Sequence, residues 1–244
     1  MLSEEQYLQQ WQKHFSTATD NLQLALSGGR LATNVAQIFV AGYQACIRQI
    51  FSEIKTQEWL SFAVSEAKGD ETRPGVNWQL QDNSLTLSGY KTWIAASGHV
   101  GQLVIKAGRG ADAIYVLVPR SLVKISHKEN PSLLPELSQG EAQLVDVCLP
   151  SSKQLDAEHV HLFGQYEAIF ILFATVGFVQ AQVGSSTPAI ETLLNESAAL
   201  WGTHVSKHKP LEQLGKFKKG VMSLWQPYTD LNGSALIKRY AQAN

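Results

Sequence analysis

Apolar residues in the first fifth of the chain recur every three or four positions, a spacing typical of amphipathic helices. The pattern predicts a short helix over residues 3–15 and a strong helix from about Leu31 to Ile54. Between them, Ser27–Gly29 carries two adjacent glycines, which favour a break in the backbone. The chain is therefore expected to begin with a helical region.

From Trp59 to Val147 the spacing changes to short apolar runs separated by Gly, Asn, Asp and Pro, which is typical of strands. Asp82 and Asn83 lie between two of the runs and predict a hairpin turn. The predicted strands are Trp59–Val64, Val76–Gln81, Ser84–Leu87, Lys91–Ala95, Leu103–Lys106, Ala113–Pro119, Leu122–Ser126 and Ala142–Val147. With no helical segment between them, these runs predict an antiparallel barrel or sandwich.

After Pro150 the helical spacing returns. One long helix is predicted from about Gly164 to Val183, and Thr187 followed by Pro188 is typical of the start of another. A last helix is predicted over 210–231. The predicted fold class is α+β, with a helical region over 1–58, a central β-domain over 59–150 and a C-terminal helical region over 151–244.

Composition and charge restrict the class of protein. The chain has 244 residues, 44% of them hydrophobic, and this favours a folded globular protein. A formal net charge of −1 gives no general attraction to nucleic acid or to an anionic membrane. The most apolar run, Ala168–Val179, is too short to span a bilayer. Cys46 and Cys148 are expected to be free buried thiols, which favours a cytoplasmic location.

Two segments of the β-rich region carry distinctive motifs: Phe62–Glu71 reads FAVSEAKGDE and Leu87–Gly108 reads LSGYKTWIAASGHVGQLVIKAG. Both segments resemble signatures of the acyl-CoA dehydrogenase family. Leu144–Pro150, Tyr166–Gln182 and Lys209–Trp225 are similar to further family segments, so the resemblance covers most of residues 59–244. It implies a helix–β–helix fold and an FAD-dependent oxidation of the CH–CH group of an acyl-CoA or another acyl thioester.

The resemblance also implies which residues contact the flavin. In the family, the two signature strands form a wall against the isoalloxazine ring, and the residues matching that wall are Phe62, Val64, Ser65, Trp93, Ile94 and Ala95. A tryptophan on a strand is more often a core residue, so core packing remains an alternative for Trp93 alone.

Glu167 is the candidate catalytic base. Some branches of the family carry the catalytic glutamate on the first C-terminal helix, and Glu167 lies at that position, ahead of the apolar run and ten residues before Gly177. A carboxylate beside Ile169 and Phe170 would be partly desolvated, which raises its pKa toward that of a useful base. The alternative is an exposed glutamate near the start of a helix, where it interacts favourably with the helix dipole.

Several departures from the family pattern keep a second interpretation open. Ala95 replaces a threonine or serine whose hydroxyl contacts the flavin, and Lys68–Asp70 lacks the serine of the family's turn. His204–His208 replaces an arginine segment that reaches the cofactor of a neighbouring subunit, and the chain is expected to be a shortened member. These differences favour a non-catalytic homologue that serves as a binding or scaffold subunit without FAD.

The remaining predictions concern metals and partners. His159 and His161 could both face a metal, but no third ligand accompanies them at a suitable spacing, and no metal site is predicted. The resemblance implies a homodimer or homotetramer, and a full-length homologue is a further possible partner. The apolar Ala168–Val179 helix is expected to be covered by self-association.

Overall fold

A computed structural model of the protein describes residues 1–184, 187–209, 211 and 214–242. The chain divides into two compact units. The helical unit consists of Met1–Gln57 and His159–Asn244, and the β unit consists of Glu58–Glu158. The two helical ranges predicted as separate regions therefore belong to one unit, and the β unit is inserted into its sequence.

The first three helices each begin at a side chain that accepts a hydrogen bond from a backbone N–H of the first turn. These capping residues, Ser3, Asp20 and Asn34, satisfy donors that a helix start leaves without an intrahelical acceptor. The helices are α1 (Glu4–Phe15), α2 (Asn21–Leu31) and α3 (Val35–Ile50). All sixteen residues of α3 are buried, so it lies in the centre of the helical unit.

The break predicted at Ser27–Gly29 is wrong, because these residues lie inside α2. A Cβ atom added at Gly29 would collide with the backbone of Ala174. The glycine is therefore required by the close approach of another helix rather than by a turn. The helix predicted from Leu31 begins later, at Val35, after the Asn34 cap.

In the described part of the chain, four α-helices follow the β unit. Thr187 caps one of them through a hydrogen bond to the Ile190 N–H, and Pro188 occupies its first position, as predicted. The long helix before it ends at Gly184, whose positive φ of 68° suits glycine. The helices are α4 (Phe163–Val183), α5 (Pro188–Thr203), α6 (Leu214–Trp225) and α7 (Ser234–Gln242).

The last predicted helix, over 210–231, is only partly confirmed. Pro210 lies outside the described residues, and α6 ends at Trp225 because the chain tightens into a 3₁₀ turn over Gln226–Tyr228 that contains Pro227. Helix α7 was not predicted.

Helix α4 is the apolar centre of the helical unit, with α2, α3, α6 and α7 packed against it. Val160–Val183 is long and apolar enough to cross a membrane, but 78% of its most apolar part is buried inside the protein. Since other helices of the same chain cover α4, the expectation that it needs self-association for cover is wrong.

Glycines permit the helices around α4 to approach at backbone distance. A Cβ atom at Gly42 of α3 would lie 2.5 Å from the Ile171 backbone of α4. A Cβ atom at Gly177 of α4 would collide with the Leu26 backbone of α2. Because real Cβ atoms do not come this close to backbone, these crossings depend on the absence of a side chain.

The β unit contains two four-stranded sheets. The first has the order β1–β4–β5–β8 and the second the order β2–β3–β7–β6. The strands are β1 (Leu60–Ala63), β2 (Asn77–Gln81), β3 (Ser84–Ala95), β4 (Gln102–Ala107), β5 (Ile114–Pro119), β6 (Lys124–His127), β7 (Gln139–Pro150) and β8 (Gln154–Leu155). Alternate residues of both sheets form one shared apolar core, which makes the unit a sandwich.

Strand pairing follows the predicted hairpin and differs in detail elsewhere. Asp82 and Asn83 both have positive φ, 46° and 64°, and join β2 to β3 in a tight turn. The two runs predicted over 84–95 form one strand interrupted by bulges. The pair β1–β4 is parallel, while the other pairs within the sheets are antiparallel.

The cysteine expectation is half right. Cys46 is buried in α3, whereas Cys148 is exposed on β7 with its Sγ 3.5 Å from Thr86 Oγ1. Both thiols are free, so neither contributes a covalent cross-link to the fold.

Candidate functional site

Glu167 is the fifth residue of α4, one turn after the helix begins and just before its fully buried stretch. Its side chain is half-buried. Ala168, Ile169 and Phe170 follow it and are buried, so the carboxyl group lies where solvent meets the apolar interior of the helical unit.

The carboxyl group of Glu167 has a strongly shifted acidity. Burial raises the pKa of Glu167 to about 7, while a hydrogen bond from the Tyr240 hydroxyl and the charge of Arg239 act in the opposite direction. A group with this pKa is present in both protonation states near neutral pH. It can therefore take up a proton and release it again without a large free-energy barrier.

Two further titratable side chains interact with this carboxyl group, Tyr240 and Cys46, and Tyr43 interacts with Tyr240. Tyr240 lies on α7, and Tyr43 and Cys46 lie on α3. Burial raises the pKa of Tyr240, and the charge of Glu167 adds to that effect. Burial, followed by the charge of Glu167, raises the pKa of the Cys46 thiol. Tyr240 and Cys46 are therefore held in their neutral forms, which leaves the Glu167 carboxyl as the group of this cluster that titrates near neutral pH.

The residues predicted to contact a flavin lie in the β unit, at the end of β1 and along β3. Phe62 is buried in β1, and its ring stacks on Tyr115 with centroids 5.9 Å apart. Val64 is half-buried and Ser65 is exposed. The Ser65 carbonyl accepts a hydrogen bond from the Thr92 N–H at 2.9 Å, which fixes the end of this segment beside β3.

Trp93 is half-buried and held in place by its indole N–H. Its Nε1 donates to Gln139 Oε1 at 3.0 Å, and the Gln139 amide donates in turn to the carbonyls of Leu133 and Leu134. The indole ring thus has a fixed orientation with part of its surface exposed. Trp93 is neither wholly a core residue nor a free surface side chain.

Ile94 and Ala95 are both buried in the β unit. The Ala95 N–H donates to Ser61 Oγ at 3.1 Å, so this backbone donor is already used inside the protein. Val64, Ser65 and Trp93 are not fully buried, and their apolar side chain, hydroxyl group and indole ring are groups that suit contact with a planar ring such as that of a flavin. The side chains of Ile94 and Ala95 are buried in the interior of the β unit.

A buried ion pair joins the segment after β1 to strand β3. Lys91 is fully buried, and its ammonium group donates to Glu66, which also accepts from the Val76 N–H at 3.2 Å. Burial lowers the pKa of Lys91, while the bond to Glu66 opposes that shift. The pair ties the segment after β1 to β3 and so positions Ser65. Both residues lie inside the signature segments, but their pairing was not foreseen.

Tyr240 is the functional candidate that sequence reasoning missed. The apolar residues Leu236, Ile237 and Tyr240 recur at helical spacing and could have indicated α7. Their spacing gives no sign that Tyr240 would bond to Glu167, which is 73 positions earlier in the chain.

His159, one of the two histidines considered as metal ligands, contacts a histidine from a distant part of the chain. His159 stacks on His208 with ring centroids 3.8 Å apart. Within the described part of the chain, no three His, Cys, Asp or Glu side chains are grouped as metal ligands would be.

Comparison with known proteins connects the fold to a recognised architecture. No protein-family model matches the chain, and no curated protein sequence matches it. The butyryl-CoA dehydrogenase of Megasphaera elsdenii matches in structure with a TM-score of 0.64 at 10% identity, covering 99% of this chain and 85% of that chain. A glutaryl-CoA dehydrogenase from Mycobacterium smegmatis in complex with FADH2 matches with a TM-score of 0.56 at 12% identity, covering 98% and 91%.

A third solved structure, the prolyl acyl carrier protein oxidase AnaB, matches with a TM-score of 0.58 at 16% identity, covering 96% of this chain and 71% of that one. At identities this low, the structural similarity establishes a shared fold but not a shared reaction. The similarity extends over nearly the whole chain in all three comparisons. The protein therefore has an acyl-CoA dehydrogenase-like fold, as the resemblance of its sequence predicted.

Proposed function

We propose that this protein is an acyl-CoA dehydrogenase-like flavoprotein that oxidises the CH–CH group of an acyl thioester, with Glu167 as the base. The observation that carries the proposal is the half-buried Glu167 carboxyl, whose pKa is raised to about 7. The shared fold supports it, because the family resemblance assigns this position on α4 to the catalytic glutamate in some branches.

The proposed reaction transfers one proton to the protein. Glu167 removes a proton from the α-carbon of the thioester, and the electrons of that bond form the new carbon–carbon double bond as a hydride leaves the β-carbon. FAD, when bound, supplies the hydride acceptor. Burial of Glu167 favours proton uptake, and the strip of Val64, Ser65 and Trp93 would hold the isoalloxazine ring.

A first experiment tests the cofactor. Purified protein is incubated with FAD and desalted, and its visible absorbance spectrum is recorded. A retained flavin band at stoichiometric amount supports the proposal. The alternative function, a binding or scaffold protein without FAD, is favoured by the buried side chain of Ala95 and by its occupied N–H. Absence of a retained band would favour that alternative.

A second experiment tests the base. Short- and medium-chain acyl-CoA thioesters are added to the flavin-loaded protein without oxygen, and bleaching of the flavin band is followed. Glu167→Gln is expected to slow bleaching by a factor of at least about 100 while flavin binding stays intact. Glu191→Gln is the matched control, since Glu191 is an exposed glutamate in the first turn of α5. Equal bleaching in wild type and Glu167→Gln would contradict the proposed role.

The assembly and location belong to the same proposal. A homodimer or homotetramer in the cytoplasm, alone or with a full-length homologue, rests on the family resemblance alone, because α4 is covered within the chain. Light scattering during size-exclusion chromatography tests the assembly, and a stable monomer would contradict it.

A further inference from the structure

The amide of Gln139 joins the Trp93 indole to the loop between β6 and β7, residues 128–138. Gln139 is the first residue of β7 and is only 4% exposed. Its Oε1 accepts from the Trp93 Nε1 at 3.0 Å, while its Nε2 donates to the Leu133 carbonyl and, at 3.2 Å, to the Leu134 carbonyl. Both ends of the buried amide are bonded, which fixes its orientation.

The β6–β7 loop is itself bonded to the rest of the β unit. The Lys128 N–H donates to the Gln139 carbonyl at 2.8 Å, which closes the loop at its base. The Ser138 carbonyl accepts from the Ser97 N–H at 3.0 Å. Leu134 is only 1% exposed, so the middle of the loop is packed into the protein. The two carbonyls that hold the Gln139 amide are therefore fixed in position.

The backbone beside Trp93 is held by the same loop. The Lys128 Nζ donates to the Thr92 carbonyl at 2.9 Å, and the Thr92 N–H donates to the Ser65 carbonyl. A tryptophan whose backbone is fixed in this way still has two rotatable side-chain bonds. The Gln139 acceptor restricts these bonds, because the indole N–H must point toward it.

We propose that Gln139 is a positioning residue for the flavin, acting through the Trp93 indole, in an inference that rests on the proposed function. The amide orients the indole before a flavin binds, so the half-buried ring presents its exposed surface in one orientation. A side chain that is already ordered loses less conformational freedom on binding, which increases affinity. An apolar side chain at this position has no acceptor for the indole, and a carboxylate has no donor for the two carbonyls.

The orientation of the indole can be followed without any cofactor. Protein labelled with ¹⁵N at tryptophan has six indole N–H groups, and the Trp93 signal is assigned from its absence in Trp93→Phe. Gln139→Met keeps a long unbranched side chain and removes both the acceptor and the donor. The Trp93 N–H signal should then shift, and its exchange with solvent should become roughly 3- to 10-fold faster. An unchanged signal overturns the inference.

Flavin affinity tests the consequence for binding. FAD is titrated with protein and its fluorescence is recorded, and the Kd of Gln139→Met should be roughly 3- to 10-fold higher than that of wild type. Gln143→Met is the matched control, since Gln143 is half-buried on the same strand and its amide donates to the Tyr90 hydroxyl at 2.6 Å. Weaker binding in Gln139→Met but not in Gln143→Met supports the inference.

Gln139→Glu keeps the test decisive if Gln139→Met does not fold. A protonated carboxyl has one acceptor and one donor, as the amide has, whereas an ionised carboxyl has only acceptors and would face the Leu133 and Leu134 carbonyls. Burial favours the protonated form in mildly acidic solution. Flavin affinity relative to wild type at the same pH should therefore be reduced at pH 8 and recover at pH 5. A ratio that does not change with pH overturns the inference.

Failure of the proposed function gives a different result from failure of this inference. If wild-type protein binds no FAD, the proposed function is wrong and the role of Gln139 in flavin binding is wrong with it. If wild-type protein binds FAD and Gln139→Met binds it equally well, only the role of Gln139 is wrong.

Discussion

Burial that raises the pKa of Glu167 also makes the folded protein bind this proton more tightly than the unfolded chain does. The ordinary pKa of the group is 4.5, and in the folded protein it is about 7. Below pH 4.5 the carboxyl is protonated in both the folded and the unfolded state, so its ionisation does not change the free energy of unfolding. As the pH rises from 4.5 through 7, the unfolded chain ionises first, and folding stability is lost.

We therefore expect Glu167→Gln to stabilise the protein at pH 8 by about 2 kcal/mol, after allowance for partial solvent screening of the half-buried group. At pH 4 the gain should vanish, since glutamine resembles the protonated carboxyl. Urea unfolding curves at pH 4, 6 and 8 measure the effect, with Glu191→Gln as control. A gain that is equal at pH 4 and pH 8 would contradict the raised pKa.

At the residue scale, the sequence located some of the candidate site and could not locate the rest. The resemblance indicated Glu167, and its neighbouring apolar residues indicated a raised pKa, which the structure has. It could not indicate Tyr240 or the Glu66–Lys91 pair, because both depend on which segments meet in three dimensions. Residue type also did not reveal that the side chain of Ile94 is buried whereas that of Trp93 is partly exposed.

Among the elements, helix α4 combines one position that excludes any side chain with another that accepts one. A Cβ atom at Gly177 would collide with the backbone of Leu26, whereas a Cβ atom at Gly164 has no neighbour within 4 Å. Both residues lie in the same helix, so alanine should act on them in opposite directions.

Gly177→Ala should lower the free energy of unfolding by about 1–3 kcal/mol, because α2 must move away from α4. Gly164→Ala should raise it by up to about 1 kcal/mol, since alanine has the higher helix propensity. Thermal and urea unfolding of the two variants measure the difference. If both substitutions were stabilising, the backbone contact between α2 and α4 would be absent.

Helix caps, turns and most strands could be predicted from the sequence because each depends on a few adjacent residues. The Thr187 cap, the Asp82–Asn83 turn and most strands were predicted on that basis. The prediction for Ser27–Gly29 was wrong because Gly29 allows a helix that is distant in sequence to pack closely, and does not mark a turn. Strand β8 is only two residues long and gives no periodic signal.

For the whole molecule, the insertion of the β unit makes the helical unit discontinuous in sequence. While the β unit is folded, its first and last strands are held at the two edges of one sheet, so its two ends have a fixed separation. Once it unfolds, the helical unit must close a flexible loop of roughly 100 residues, at an entropic cost on the order of 4 kcal/mol. Loss of the β unit is therefore expected to weaken the helical unit as well.

Leu103→Ala tests this coupling, because Leu103 is fully buried in the core of the β unit. The substitution should reduce the stability of the β unit by about 2–5 kcal/mol. Hydrogen exchange followed by mass spectrometry should then show faster exchange in α3 and α4 as well as in β4. Leu80→Ala is the control, since Leu80 is 57% exposed on β2. Wild-type protection of α3 and α4 in Leu103→Ala would mean that the two units unfold independently.

The buried helix α3 has a consequence for biosynthesis. It leaves the ribosome before its packing partner α4, which begins more than 100 residues later. At about 5–20 residues per second, the nascent chain exposes the apolar surface of α3 for about 5–25 seconds. During that interval the β unit can fold, but α3 has no covering helix from the C-terminal segment. We therefore expect the newly made N-terminal helices to be prone to aggregation until α4 has been synthesised.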